Sequence, residues 1–174
     1  GPRRFTVREY YKMAKAGILT EDDRVELIEG EIVQLPPIGG PHAACVNRLT
    51  ELFVTRLAGT AIVQVQNPFR LSETSEPLPD LTVLKLKADF YASGHPGPTD
   101  TLLAIEVCDT TLAYDRGRKL PLYARAGVPE TWLVDLQHER VEIHWDSAEE
   151  GYRSARIAGR GERIAPQAFP ELDL

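Results

Sequence analysis

Apolar and polar positions alternate along this chain with two distinct periods. Thr6-Val7-Arg8-Glu9 has the form of a capping box, with Thr6 as N-cap and Glu9 three residues on. A short helix is therefore expected to about Ala16, stopped by Gly17. Val25 to Val33 reads as a hairpin turning at Glu29-Gly30. Pro36-Pro37-Ile38-Gly39-Gly40 breaks regular structure, and Pro41 suits the first turn of a helix. From His42 to about Leu57, apolar residues fall at 45, 46, 49, 52, 53 and 57, a helical stripe closed by Gly59.

Further along, Ala61 to Gln66 and Phe69 to Leu71 read as paired strands, and Asp80 to Leu86 alternates. Thr101 to Val107 is nearly all apolar, as expected of a central strand buried on both faces. The pattern predicts a second long helix over about Leu112 to Ala126, stopped by Gly127. Pro121 falls inside it and removes a donor, so a kink or a late start is expected there. Trp132 to Val134 and Val141 to Trp145 read as strands, and residues beyond Gly151 as a peripheral strand and tail. This order predicts a single α/β domain over 1–174 with a mixed sheet flanked by helices. Its core is expected at about 41–145, with an N-terminal helix and hairpin at 5–35 and the tail at 151–174.

Composition changes the picture in three ways. No apolar run approaches the roughly 18 to 20 residues needed to span a bilayer, and no secretory leader is visible. Cys45 and Cys108 show no pairing or ligand spacing, which fits a reducing cytoplasm. The 20 Lys+Arg against 26 Asp+Glu give a net charge of -6, which argues against gripping nucleic acid by bulk positive charge. The deficit is uneven. Residues 61–111 carry 3 basic and 7 acidic side chains, and 112–130 carry 4 and 2, which makes the latter the one net positive stretch.

Two acids stand out. Glu106 interrupts the run Leu102-Leu103-Ala104-Ile105, where an ionised carboxylate is costly without compensation. Asp80 opens another strand after Glu76-Pro77-Leu78-Pro79. Were those strands neighbours, the two carboxylates would share a site and need a proton, a lysine or a divalent metal between them. An oxygen-rich site with few carboxylates suits Mg²⁺ or Mn²⁺, whereas no HExxH, CxxC or EF-hand loop supports zinc or calcium. Lys119 lies about two turns into the next helix and could reach back to the acids, with Asp115 and Tyr123 four residues either side on its face. The structural alternative is an Asp80 that caps a turn, a Glu106 that simply pairs with a nearby basic residue, and an Asp115–Lys119 surface pair worth only a few tenths of a kcal/mol.

Pro79-Asp80, Ile105-Glu106-Val107, Asp115 to Ala124 with Lys119 between, and Gly127-Val128-Pro129-Glu130-Thr131-Trp132-Leu133-Val134-Asp135 resemble the Uma-type restriction endonuclease family. That family, once a domain of unknown function, belongs to the PD-(D/E)XK nuclease superfamily. Val25 to Glu31 and His42 resemble its N-terminal half, so the similarity spans roughly residues 5 to 145. The resemblance implies a restriction-endonuclease-like core and hydrolysis of phosphodiester bonds, in DNA, with Mg²⁺ or Mn²⁺. Asp80 and Glu106 would hold the metal, and Glu26 would be a further ligand or an outer base. The lysine that usually follows the second acid by two positions is here Cys108, and Lys119 would replace it. His42, Tyr123 and Asp115 would line the site, and Arg116, Arg118 and Arg125 would contact phosphates. A homodimer with two active sites would suit cleavage of both strands. Two rivals share these residues: a non-catalytic nuclease-fold module, and a hydrolase of small phosphoesters.

Overall fold

Local rules place the first elements of the computed structural model, which describes residues 1–174. Helix α1 is Val7–Lys15, and both halves of its capping box form: the Glu9 N–H donates to Thr6 Oγ1 (3.1 Å) and the Thr6 N–H to Glu9 Oε1 (3.0 Å). Strands β1 (Val25–Ile28) and β2 (Glu31–Gln34) pair antiparallel. Their turn residues Glu29 and Gly30 both have positive φ, 48° and 81°, as a two-residue turn matched to strand twist requires. A Cβ on Gly30 would lie 2.7 Å from that of Arg4, so the hairpin tip also needs glycine for close approach.

Helix α2 (Gly40–Leu57) begins with Pro41 in its first turn and buries Val46, Phe53 and Leu57 against the main sheet. That sheet has six strands in chain order: β3 (Ile62–Val65), β4 (Leu81–Leu84), β5 (Thr101–Cys108), β6 (Glu130–Asp135), β7 (Arg140–Ala148) and β8 (Gly151–Ala158). Every neighbouring pair is antiparallel except β5–β6. A parallel joint needs a crossover, and the helical segment between residues 112 and 126 supplies it. The expected mixed α/β sheet with flanking helices and an N-terminal hairpin is the architecture found.

Strand β5 is central and covered on both sides. Leu103, Ile105 and Val107 pack with α2 residues and Trp132, whereas Ala104 packs with Ile28, Phe69, Leu122 and Tyr123. With a period of two, Glu106 therefore faces the second group. This is the reason its carboxylate ends up beside the crossover helix.

Three expectations need correction. Phe69–Leu71 does not pair with β3, whose partner is β4. Its N–H groups instead donate to the returning loop, Phe69 to the Pro77 carbonyl (3.0 Å) and Leu71 to that of Ser75 (3.1 Å). Its alternating apolar residues are explained by burial, because Phe69 is buried against Tyr123 at 6.1 Å between ring centroids. The second long helix is irregular near Pro121 as expected, but by widening and not by a kink or late start: α3 (Leu112–Tyr114) passes into a π-helical turn (Asp115–Lys119) and then α4 (Leu120–Ala126). Pro121 has no N–H to offer Gly117, and the wider turn just before it absorbs that missing bond. Lastly, the tail is less peripheral than expected, since Ala158 and Phe169 join the same core as Trp132.

Phe53 and Trp132 are both buried and meet at 5.8 Å between ring centroids, tying α2 to the sheet. Phe53→Ala should lower unfolding free energy by about 3–5 kcal/mol. Urea denaturation would measure it, and a loss below about 1 kcal/mol would refute this packing role.

Candidate active site

Register brings the two acids together. Leu81 opposes Ile105 in the β4–β5 ladder, so one step further Asp80 faces Glu106. The pair is pinned by main chain on both sides: the Asp80 N–H donates to Glu106 Oε1 (3.2 Å) and the Val107 N–H to Asp80 Oδ2 (2.8 Å). Gln66, just past β3, donates its amide to Asp80 Oδ1 (3.2 Å). His42, in the first turn of α2, sets Nε2 3.2 Å from Asp80 Oδ2. That hydrogen bond raises the His42 pKa, and burial opposes it.

Lys119 enters from the π-helical turn, where the Leu120 N–H bonds to the Asp115 carbonyl five residues back. Its ammonium pairs with Glu106 Oε2 and lies 3.1 Å from Glu26 Oε2. Glu106 Oε2 also accepts from the Tyr123 hydroxyl (3.1 Å), and Glu26 Oε2 from the Leu78 N–H (3.0 Å). Glu26, Glu106, Asp115 and Lys119 are all at most 5% exposed. Burial works against the lysine's charge, but Glu106 and then Glu26 overcome it and hold its pKa well above the usual range. Burial likewise pushes Glu106 up; Lys119 opposes this, and Asp115, Asp80 and Glu26 reinforce it. Asp115 accepts from the Thr111 hydroxyl (2.7 Å) and the Cys108 thiol (3.2 Å), whose pKa burial raises.

These groups open onto a cleft of ≈ 590 Å³ walled by β2, the Pro36–Gly39 loop and residues 109–115. Seven carboxylate residues line it (Glu21, Asp23, Glu26, Asp80, Glu106, Asp109 and Asp115) against only Arg24 and Lys119 as permanent cations. Such a surface repels a phosphate unless a cation accompanies it. The donors fit one. Asp80 Oδ1 and Glu106 Oε1 each accept a single hydrogen bond, leaving a lone pair free on each. No three His, Cys, Asp or Glu side chains converge to enclose a metal. Two carboxylates with the remaining positions left to water is the usual arrangement for Mg²⁺, and it differs from a closed zinc cage.

A sequence profile described as "Putative restriction endonuclease", that of Uma2, matches residues 7–174. The chain belongs to the Uma2 family. Its fold is also that of a solved structure described as a "putative nuclease belonging to DUF820" from Anabaena variabilis ATCC 29413. The two align with a TM-score of 0.69 at 17% identity, covering 98% of this chain and 94% of the other. No functionally curated protein matches this chain. Within this Uma2 protein, Lys119 lies beside Glu106 although the sequence position two after that acid holds Cys108.

Of the residues singled out from sequence, Asp80, Glu106, Lys119, Glu26, His42 and Asp115 all line the cleft, and Tyr123 touches it through Glu106. The three arginines do not line it. Arg116 pairs with Glu142, and Arg118 with Glu31 (3.1 Å) and Glu29 (3.8 Å). Arg125 borders a separate depression with Arg4, Glu29 and Ser72. Sequence reading passed over Gln66, Arg24, Asp109 and Tyr114, all in the lining. Tyr114 is five residues before Lys119, a spacing that shares a side in a π-helical turn but not in an α-helix. Pro121 was the signal available for it.

Lys119→Met leaves two buried carboxylates without their cation, and should cost about 3–5 kcal/mol of stability at neutral pH. Glu106 binds its proton more tightly folded than unfolded, so its penalty grows as pH rises through its raised pKa and vanishes towards pH 4.5 and below. The deficit of the variant should therefore shrink on acidification. Urea denaturation across that window measures it, and a pH-independent deficit would contradict the proposed electrostatics.

Proposed function

We propose that this Uma2 protein is a divalent-metal-dependent endonuclease that hydrolyses phosphodiester bonds in DNA. The observation that carries the reading is the Asp80–Glu106 pair, held by main-chain hydrogen bonds at a cleft whose lining includes Lys119. Asp80 Oδ1 and Glu106 Oε1 would hold Mg²⁺ or Mn²⁺, which when bound offsets phosphate charge and lowers the pKa of a coordinated water.

The protein's own groups divide the remaining work. Lys119 keeps Glu106 and Glu26 from repelling one another and holds positive charge beside the reacting phosphate. His42 and Gln66 fix the Asp80 carboxylate from two sides. Tyr123 donates to Glu106 Oε2, so Oε1 would be the oxygen available to hold a metal. With Arg116 and Arg118 engaged in ion pairs, few cations remain to track a duplex, so affinity for DNA is expected to be weak. A homodimer, offering one cleft to each strand, belongs to the same reading.

The test is nicking of supercoiled plasmid with Mn²⁺ or Mg²⁺. Asp80→Ala and Glu106→Ala should each slow it by at least about a hundredfold, and chelation should abolish it. Equal nicking by all three proteins would mean contamination and a non-catalytic module. Turnover of nucleotide phosphoesters without duplex cleavage would favour the small-phosphoester alternative.

A further inference from the structure

Seven carboxylates line the cleft against two permanent cations, so what those two cations are free to do decides how a phosphodiester strand is held there. Lys119 is 3% exposed and already engaged by Glu26 and Glu106. Arg24 differs on both counts. It is exposed, and it forms no ion pair although Glu21 and Asp23 share the lining with it. Asp23 is turned elsewhere: its Oδ2 accepts from the Thr20 N–H (2.7 Å) and the Thr20 hydroxyl (3.4 Å). Arg24 itself is fixed at both ends. The Leu35 N–H donates to the Arg24 carbonyl (2.7 Å), which carries the β1–β2 ladder one step beyond Val25 and Gln34. Its guanidinium donates from Nη1 to the Pro36 carbonyl (2.9 Å). A guanidinium has five N–H donors, so four remain without an acceptor in the protein.

The plainest role for this arginine is a clasp that closes the hairpin through Pro36. A clasp, however, needs one donor and no charge, and a side-chain amide would serve as well. A fixed positive charge on the wall of an acidic cleft, with a fork of donors left open, suits a phosphate, which a guanidinium meets with two parallel hydrogen bonds. Asp80 and Glu106 sit on neighbouring strands of the main sheet, whereas Arg24 belongs to the hairpin and bonds to neither. We infer that Arg24 clamps a backbone phosphate of the DNA strand other than the scissile one. The choice of DNA rests on the endonuclease reading above, whereas the clamp can be measured without turnover. Such a contact is made equally before and during the chemical step, so it contributes to binding and not to kcat. It also fits a protein whose other candidate arginines, Arg116 and Arg118, are held by glutamates: one cation is offered where a strand enters, and few elsewhere.

The experiment measures fluorescence anisotropy of a labelled DNA duplex, with Ca²⁺ in place of Mg²⁺ and over a range of NaCl, beside plasmid-nicking kinetics. The proteins are wild type, Asp80→Ala, Arg24→Gln and Arg24→Lys. Arg24→Gln should raise Kd and KM about tenfold with kcat and thermal midpoint unchanged, and should flatten the slope of log affinity against log salt by about one. Arg24→Lys should restore that slope with the charge, but only part of the affinity, because it lacks the fork. Wild-type Kd and slope in Arg24→Gln would overturn the inference and leave only the hairpin clasp. A lowered kcat at constant KM would also overturn it, by placing the arginine at the scissile phosphate. So would an affinity loss that follows a lowered thermal midpoint and is not reversed by Arg24→Lys. Equal nicking by wild type and Asp80→Ala would remove the endonuclease reading alone. Anisotropy would then decide the clamp, and no measurable binding of the duplex by wild type would overturn it.

Discussion

One buried ammonium organises this protein. Lys119 comes from the crossover segment, Glu26 from the N-terminal hairpin and Glu106 from the central strand, and the three meet with almost no access to solvent. Each would be costly to bury alone, and removing any one strands the others. The hairpin, the sheet and the crossover helix are therefore joined by charge as well as by apolar packing. The seven carboxylates of the cleft outnumber its two permanent cations, and the proposed metal rests on that imbalance.

The same constraint explains the irregular crossover. Asp115 and Lys119 must both point inward, the first to Thr111 and Cys108, the second to two glutamates. A π-helical turn spreads its residues differently from an α-helix and is a recurrent feature of functional sites. Pro121 makes the local departure cheap, since an α-helical bond to its nitrogen was never available. The backbone defect and the placement of the lysine thus have one cause.

Much of this was legible along the chain because local signals and burial agree there. The capping box at Thr6, the Glu29-Gly30 turn, the α2 stripe and the apolar run of β5 each depend on near neighbours. An acid inside that apolar run pointed to the site for a plain reason: burial of charge demands a partner. What was hidden depends on contacts between segments far apart. Phe69 and Leu71 look like a strand because a buried loop needs the same apolar residues. Arg116 and Arg118 look free until β7 brings Glu142 to one and the hairpin brings Glu29 and Glu31 to the other. Gln66 and Tyr114 are ordinary polar residues until strand register and a π-helical turn aim them at the cleft.

The hydrogen-bonded ion pair between Glu26 and Lys119 spans 93 residues of sequence. A ribosome makes the hairpin long before it makes the lysine. During that interval the carboxylate of Glu26 has its main-chain partner at best and no counterion, so burying the hairpin is uphill. Docking of the N-terminal segment must then wait for the crossover helix to emerge, which closes a long loop late. Docking of the hairpin and completion of the site are thus, for this chain, one and the same step, bridging the 93 residues between the two charges.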